Sequence, residues 1–464
     1  MKITLSLLLI LLTLPLYGQL SNTLSPADKL YGLSKFWMEV NSNFVYLEQF
    51  GKARWDSLYR ATIPSILATT NDYEYCRELQ KFCAVLHDGH TTIFPPYDEG
   101  NSNFGSYRIG LMNVQNRAII GAVNLSKKDE VPVGSEIVEV NGKPTGEYIR
   151  ENVAPYIATS APHIREDLCI ERLLRGIDGE RYEVKVRTPE GKILPLSLVH
   201  AKVTEKETYP PRERKPLFDF KWYDGRIAYV ALNSFSNPAI DSLFMTKLPE
   251  LYTAKALIID LRNNGGGSTH IGYRILKYLT DDSLLFGARG VSRNHIPVFK
   301  AWGQLFQPGD TSTGNAARGL TKEEVKKYFL SAQDKFYYDL EYTPEKDTLQ
   351  EQRVVIPTVI LIGHQTASAA EDFLIATQNQ KHIVLIGEKT YGSTGQPYEF
   401  TLPGNLKARV CALKVTYPDG TPFVGVGIKP EIEVSATLDD YLNNTDPALE
   451  KGLSYLKEKL GGGK

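Results

Sequence analysis

The sequence predicts an α/β protein in which a helical lead and a β-rich module precede a core of β-α-β units. Two observations carry the core. The apolar run "ALIID" (Ala256–Asp260) leads into "LRNNGGGST" and a helix-forming stretch, and "PTVILIG" (357–363) leads into "HQTASAAE" and another. A third strand-like run, "HIVLIG" (382–387), follows that second helix. Strands alternating with helices in this way form a parallel sheet with its functional loops at the strands' carboxyl ends. The third observation is a change of period. Residues 25–89 carry apolar side chains at helical spacing (Leu30, Leu33, Phe36, Trp37, Val40), whereas residues 101–203 break into short strands and tight turns.

At the front, one lysine precedes an apolar run over residues 3–14, followed by Pro15 and the small Gly18. The run is too short to span a bilayer and has the layout of a cleavable export signal, expected over residues 1–18. No cysteine follows Gly18, so a lipid anchor is not expected there, and no later run is long and apolar enough to span. The expectation is an exported protein, periplasmic or extracellular, with no membrane insertion after cleavage.

The N-terminal helical region (25–97) starts at Pro26, and "YEYCRELQKFCAVLHDG" reads as a helix that runs to Gly89, with His87 in its last turn. The β-branched "HTTIF" follows as a strand. In the next region (101–205), "VPVGSEIVEVNGKPTGEYI" holds a strand, Glu136–Val140, and an Asn141-Gly142 hairpin turn. This stretch is similar to the back half of a PDZ domain, with "YRIGL" (107–111) standing for the loop that grips a peptide's carboxylate. An ordinary β-hairpin module accounts for the same residues. A basic linker, "YPPRERKP" (209–216), leads to the main domain (217–446). A polar, Tyr-rich insert near 289–352, with the helical "TKEEVKKYFL", is long enough to serve as a lid or cap. A C-terminal helix and tail (447–464) complete the chain.

The 464 residues suit two or three domains, and a hydrophobic content of 42% is that of a folded chain. Lys+Arg 53 against Asp+Glu 54 leave a net charge of -1, which speaks against nucleic acid or an anionic membrane as the main partner. Cys76 and Cys83 are seven residues apart on the expected helix, too far for a disulfide. The four cysteines have no zinc spacing and read as buried thiols. No histidine–carboxylate cluster has metal spacing, and no cofactor is implied.

Two stretches carry chemistry. Gly265, Gly266 and Gly267 after a strand let backbone approach a ligand closely and turn N–H groups outward, as an oxyanion hole requires. The phosphate-binding glycine patterns are absent. Ser368 sits where a strand turns sharply into a helix, a geometry that exposes a nucleophilic oxygen. Ser368 and Glu371 also make an S-x-x-E box, which a helix cap explains without any chemistry.

"ALIIDLRNNGGGST", "VILIGHQTASAAEDFLIATQN", "GEKTYGSTG" and "PDGTPFVGVGIKPEIEV" occur in that order, after a helical lead with "LHDGHT". Together they resemble the C-terminal-processing, or tail-specific, serine peptidase family over nearly the whole chain after the export signal. The resemblance implies a crotonase/ClpP-like catalytic core, Ser368 as nucleophile, and oxyanion donors on Gly265 or Gly266 and on the Ala369 amide. Members with a Ser–Lys pair carry the lysine in "T-x-G-K-G"; here "TYGSTG" places Ser393 there. A serine needs a base, and the tricorn-like branch, which lacks that lysine, takes a histidine from the helical region. His90 matches it, with Lys389 as a spare. That branch also has a serine before the histidine and a late glutamate, positions that hold Gly89 and Val424 here. The orienting group therefore stays open among Asp88, Glu371 or another acid, and Ser393 is an accessory candidate. Asp260 and Arg262 read as a structural pair, and His364 as a residue that could line the site.

The reading is an exported serine endopeptidase acting on peptides or unfolded proteins through a Ser-His acyl-enzyme. A catalytically inactive peptide- or ligand-binding protein on the same scaffold is the alternative. An acyl-CoA enzyme of the wider crotonase fold fits the export signal and PDZ-like module poorly.

Overall fold

A computed structural model describes residues 23–95, 99–211 and 214–461. The expected export signal lies outside the described residues. The core is a six-stranded sheet in the spatial order Phe218–Tyr223, Ile227–Leu232, Ala256–Asp260, Thr358–Ile362, Ile383–Gly387, Ile432–Glu433. All neighbours are parallel except the first pair, which is an antiparallel hairpin at the edge. The sheet is therefore mixed. Every residue of Ile227–Leu232, Ala256–Asp260 and Thr358–Ile362 is buried, because helices cover both faces and leave no solvent side to alternate toward. Phe235, Phe244, Ile275 and Phe373 pack one face; Ala448 and Leu456 of the C-terminal helix (Pro447–Gly461) pack the other.

The helical region forms three long helices, Pro26–Asn43, Lys52–Ala68 and Asp72–Ala84, around Phe36, Trp55 and Phe82. The third ends at Ala84, not at Gly89. His87 lies beyond it with φ +50°, exposed, rather than in a last helical turn. The reason is in the next segment. Thr92–Phe94 pairs antiparallel with 407–409, and the chain must leave the helix early to reach that strand. Thr91 accepts the Cys411 N–H at 3.1 Å, fixing the junction. All four cysteines are buried and free.

The middle module is an antiparallel sheet curled around Ile109, Ile120, Ile137, Val184 and Leu198, with the helix Pro162–Glu171 packed on it. The strand Glu136–Val140 forms as the sequence predicts. Asn141 (φ +50°) and Gly142 (φ +78°) both take the left-handed conformation that a tight two-residue hairpin demands. The insert is stapled to the core: Arg289–Arg293 pairs with Lys414–Thr416 and with Tyr337–Asp339. Its helix Lys322–Ala332 is capped reciprocally by Thr321 and Glu324. Among the described residues no helix is long and apolar enough to cross a membrane.

Candidate active site

Three loops at the carboxyl ends of neighbouring parallel strands meet one segment from the helical region. The first loop follows Ala256–Asp260. Beneath it Arg262 forks onto Asp260 at 2.7 Å and Asp446 at 2.7 Å, tying the loop to the C-terminal helix. Asn264 is fully buried. Its amide donates to Leu232 O at 2.9 Å, and its Oδ1 accepts the Gly266 N–H at 3.0 Å. Gly266 has φ +94°, and a side chain there would come within 2.7 Å of Ser368 Cβ and 2.9 Å of Ala369 N. The glycine loop thus lies directly against the serine turn.

The Gly266 amide was expected as an oxyanion donor, and the structure corrects this: Asn264 already holds it. The Gly265 and Ala369 amides have no protein acceptor among the described residues, and Gly265 is exposed beside open space. These two N–H groups are the ones left to face a ligand.

The second loop follows Thr358–Ile362. Buried Thr366 accepts the Gly363 N–H and donates to Leu261 O at 2.9 Å, locking the turn to the neighbouring strand's end. Ser368 sits at φ +54°, ψ −123° immediately before the helix Ala369–Thr377. An ordinary N-cap residue is extended. A non-glycine residue in this region stores about 1–3 kcal/mol of strain, as residues at functional turns do, and Ser368 makes the capping box with Glu371 as well.

Glu371 holds that strained turn in place. Fully buried, its carboxylate accepts from the amides of Ser368 (3.1 Å), Gly392 (2.8 Å) and Ser393 (3.2 Å) and from the hydroxyl of Thr390 (2.5 Å). Burial pushes its pKa up to about 8, opposed by these four donors. Glu371 is hydrogen-bonded to backbone and Thr390, and makes no hydrogen bond to His90 among the described residues.

The third loop follows Ile383–Gly387 and delivers Ser393, whose carbonyl accepts the Ser368 N–H at 3.2 Å. Its Oγ lies 2.7 Å from His90 Nδ1. His90 and the serine turn therefore belong to one cluster, with Ser393 between them. Burial, and secondarily the Arg409 guanidinium, pull the His90 pKa down to about 4, so the imidazole is neutral at pH 7. A neutral imidazole is the form a general base requires.

Asp88 is buried and accepts from Thr91 Oγ1 at 2.6 Å. Ser160, which precedes the module's helix, reaches into the same cluster: its Oγ is 3.3 Å from Asp88 Oδ1 and accepts the Gly89 N–H at 3.1 Å. Other sequence candidates lie apart. His364 Nδ1 pairs with Asp167 Oδ2 at 2.6 Å, and His163 donates from Nε2 to Thr390 O at 2.8 Å, so both fasten the module to the core. Lys389 lies near His163 on that side.

Sequence reasoning missed Asn264 and Ser160. An asparagine directly before a glycine run is a signal for a side chain that bonds nearby backbone. Ser160 has no local signal, because only the fold brings it to Asp88.

Residues 226–434 match the sequence model of Peptidase family S41. Over 434 residues, 92% of this chain and 87% of the relative, the chain is 22% identical to a carboxyl-terminal-processing protease of Picosynechococcus sp.. It is 24% identical to the carboxy-terminal processing protease CtpA of Bacillus subtilis over 68% of this chain and 52% of that protein. The fold is similar to the crystal structure of mature CPAF, with a TM-score of 0.65 and 16% identity over 93% of this chain and 96% of that one.

Proposed function

We propose that this chain is an exported serine endopeptidase of the lysine-lacking, tricorn-like kind, acting on peptides or unfolded proteins. The conformation of Ser368 carries the reading: a strained serine at a helix start, in one cluster with a neutral, half-buried histidine. In the mechanism, Ser368 Oγ attacks the substrate carbonyl and its proton passes to His90. The amides of Gly265 and Ala369 receive the developing oxyanion, a role in which each donor contributes about a hundred- to a thousandfold in rate. His90 then protonates the leaving amine, and water, deprotonated by the same imidazole, releases the acyl group. Ser393 occupies the lysine's place and serves as a partner of the base. The middle module acts as a PDZ-like receptor for apolar C-termini, and the insert limits access. Proteins named as carboxyl-terminal-processing proteases among the relatives support this substrate class.

The test is labelling with a serine-reactive phosphonate, read by peptide mass, alongside hydrolysis of an unfolded protein substrate. We expect an adduct on Ser368, its loss in His90→Ala, and a drop in turnover of about a thousandfold or more in Ser368→Ala with thermal unfolding preserved. Hydrolysis that survives Ser368→Ala would overturn the mechanism. A folded wild-type protein with neither adduct nor turnover would leave the peptide-binding scaffold as the function.

A further inference from the structure

With Ser393 Oγ 2.7 Å from Nδ1, Nε2 is the ring nitrogen of His90 left to act on Ser368, and it can accept a proton only if that of the neutral form sits on Nδ1. The structure shows what neighbours Nδ1. A row of oxygen atoms runs from it to a carboxylate: His90 Nδ1 to Ser393 Oγ, 2.7 Å; Ser393 Oγ to Ser160 Oγ, 3.4 Å; Ser160 Oγ to Asp88 Oδ1, 3.3 Å. We infer that Asp88 is the orienting acid of His90, acting through the hydroxyls of Ser160 and Ser393 to hold the imidazole proton on Nδ1. This rests on the reading of Ser368 and His90 as nucleophile and base, and makes Asp88, Ser160 and Ser393 positioning residues.

The direction of the row follows from the inventory of donors. Asp88 receives the Thr91 hydroxyl on Oδ2 at 2.6 Å and the backbone N–H of His90, and its Oδ1 faces the Ser160 hydroxyl. The Gly89 N–H already donates to Ser160 Oγ at 3.1 Å. A hydroxyl has one proton and two lone pairs. Ser160 is placed to donate to Asp88 Oδ1 or to Ser393 Oγ but has one proton; once that proton goes to Asp88 and the Gly89 N–H takes one lone pair, the other lone pair is left to accept from Ser393. Ser393, having given its proton away, accepts from His90 Nδ1–H. Every hydrogen in the row then has one acceptor, and in the opposite direction Ser160 would give Asp88 no proton. Gly89 fits the same account. A side chain there would come within 2.8 Å of Ser393 Oγ, so the residue before His90 must be small for the hydroxyl row to pass. The second hydroxyl comes from the middle module, so the position of that module and the tautomer of the base are one variable.

The experiment is nitrogen-15 NMR of the His90 ring at pH 7, assigned with His90→Gln, together with kcat and KM on an unfolded protein substrate. Wild type is expected to show a protonated Nδ1 and an unprotonated Nε2. Asp88→Asn, whose amide can donate to Ser160 and reverse the row, is expected to move the proton to Nε2 and lower kcat by about 10- to 100-fold with KM unchanged. Ser160→Ala should mix the two tautomers and lower kcat less, and Ser160→Thr, which keeps the hydroxyl, should restore both. A wild-type proton on Nε2, or a tautomer indifferent to Asp88→Asn and Ser160→Ala, overturns the inference. So does a tautomer that moves while kcat does not. Should Asp88→Asn fail to fold, the Ser160 pair decides. Because the ring signal is read without turnover, a wild-type protein that hydrolyses nothing refutes the peptidase reading while the row itself is still judged.

Discussion

Two loops at the same end of the core sheet make an instructive pair. Each follows a fully buried parallel strand, each turns into a helix, and the two are in contact. The glycine loop presents backbone: Gly266 and Gly267 adopt φ of +94° and +136°, where a side chain would strike neighbouring main chain. The serine loop presents a side chain from a backbone just as unusual, at φ +54°, on a residue that resists it. Each is held by one buried polar residue acting on main-chain groups, Asn264 in the first and Glu371 in the second. The difference lies in how much each anchor holds. Asn264 fixes one amide of its own loop and one carbonyl, Leu232 O, at the end of the adjacent strand. Glu371 fixes its own turn and the neighbouring loop that carries Ser393. The backbone-presenting loop needs permissive residues and a light anchor; the side-chain-presenting loop needs a heavy one.

That contrast can be tested at decreasing scale. Glu371→Ala strips the acceptor from three amides and one hydroxyl. It should cost about 3–5 kcal/mol of stability and abolish phosphonate labelling of Ser368, measured by denaturant unfolding and mass analysis. A cost below that of the asparagine variant would break the ranking of the anchors. Asn264→Ala leaves the Gly266 amide and the Leu232 carbonyl unpaired and should cost about 2 kcal/mol, with kcat lowered and the Ser368 adduct still formed. Ser368→Gly removes the nucleophile and the strain together. It should stabilise the protein by about 1 kcal/mol while ending turnover, and a variant no more stable than wild type would show the turn to be relaxed.

Much of this was legible in the residues. The two core strands and Glu136–Val140 follow from their apolar or alternating patterns, and the hairpin turn from Asn141-Gly142. The helix preceding His90 was overextended, because periodicity along "YEYCRELQKFCAVLHDG" continues past the point where the chain breaks away to join a distant strand. The glycine loop was legible as a loop but not in its donors. Which amide is free depends on where Asn264 points, and that is set by Leu232 from another strand. Ser393 was found as the residue in the lysine's place, yet its contact with His90 spans 303 positions, and no local pattern records such a meeting.

That span has a consequence for the life of the molecule. The cluster draws on five stretches of chain, around 88–91, 160, 264–266, 368–371 and 390–393, and no fragment between two of them holds a functioning part. Contacts so distant in sequence close late in folding, after the loops between them have been ordered. A copy cut between residues 91 and 390 depends on its surviving contacts alone to keep His90 beside Ser393. On the proposed peptidase reading, a copy that attacked its own kind would by that arrangement disarm its victim.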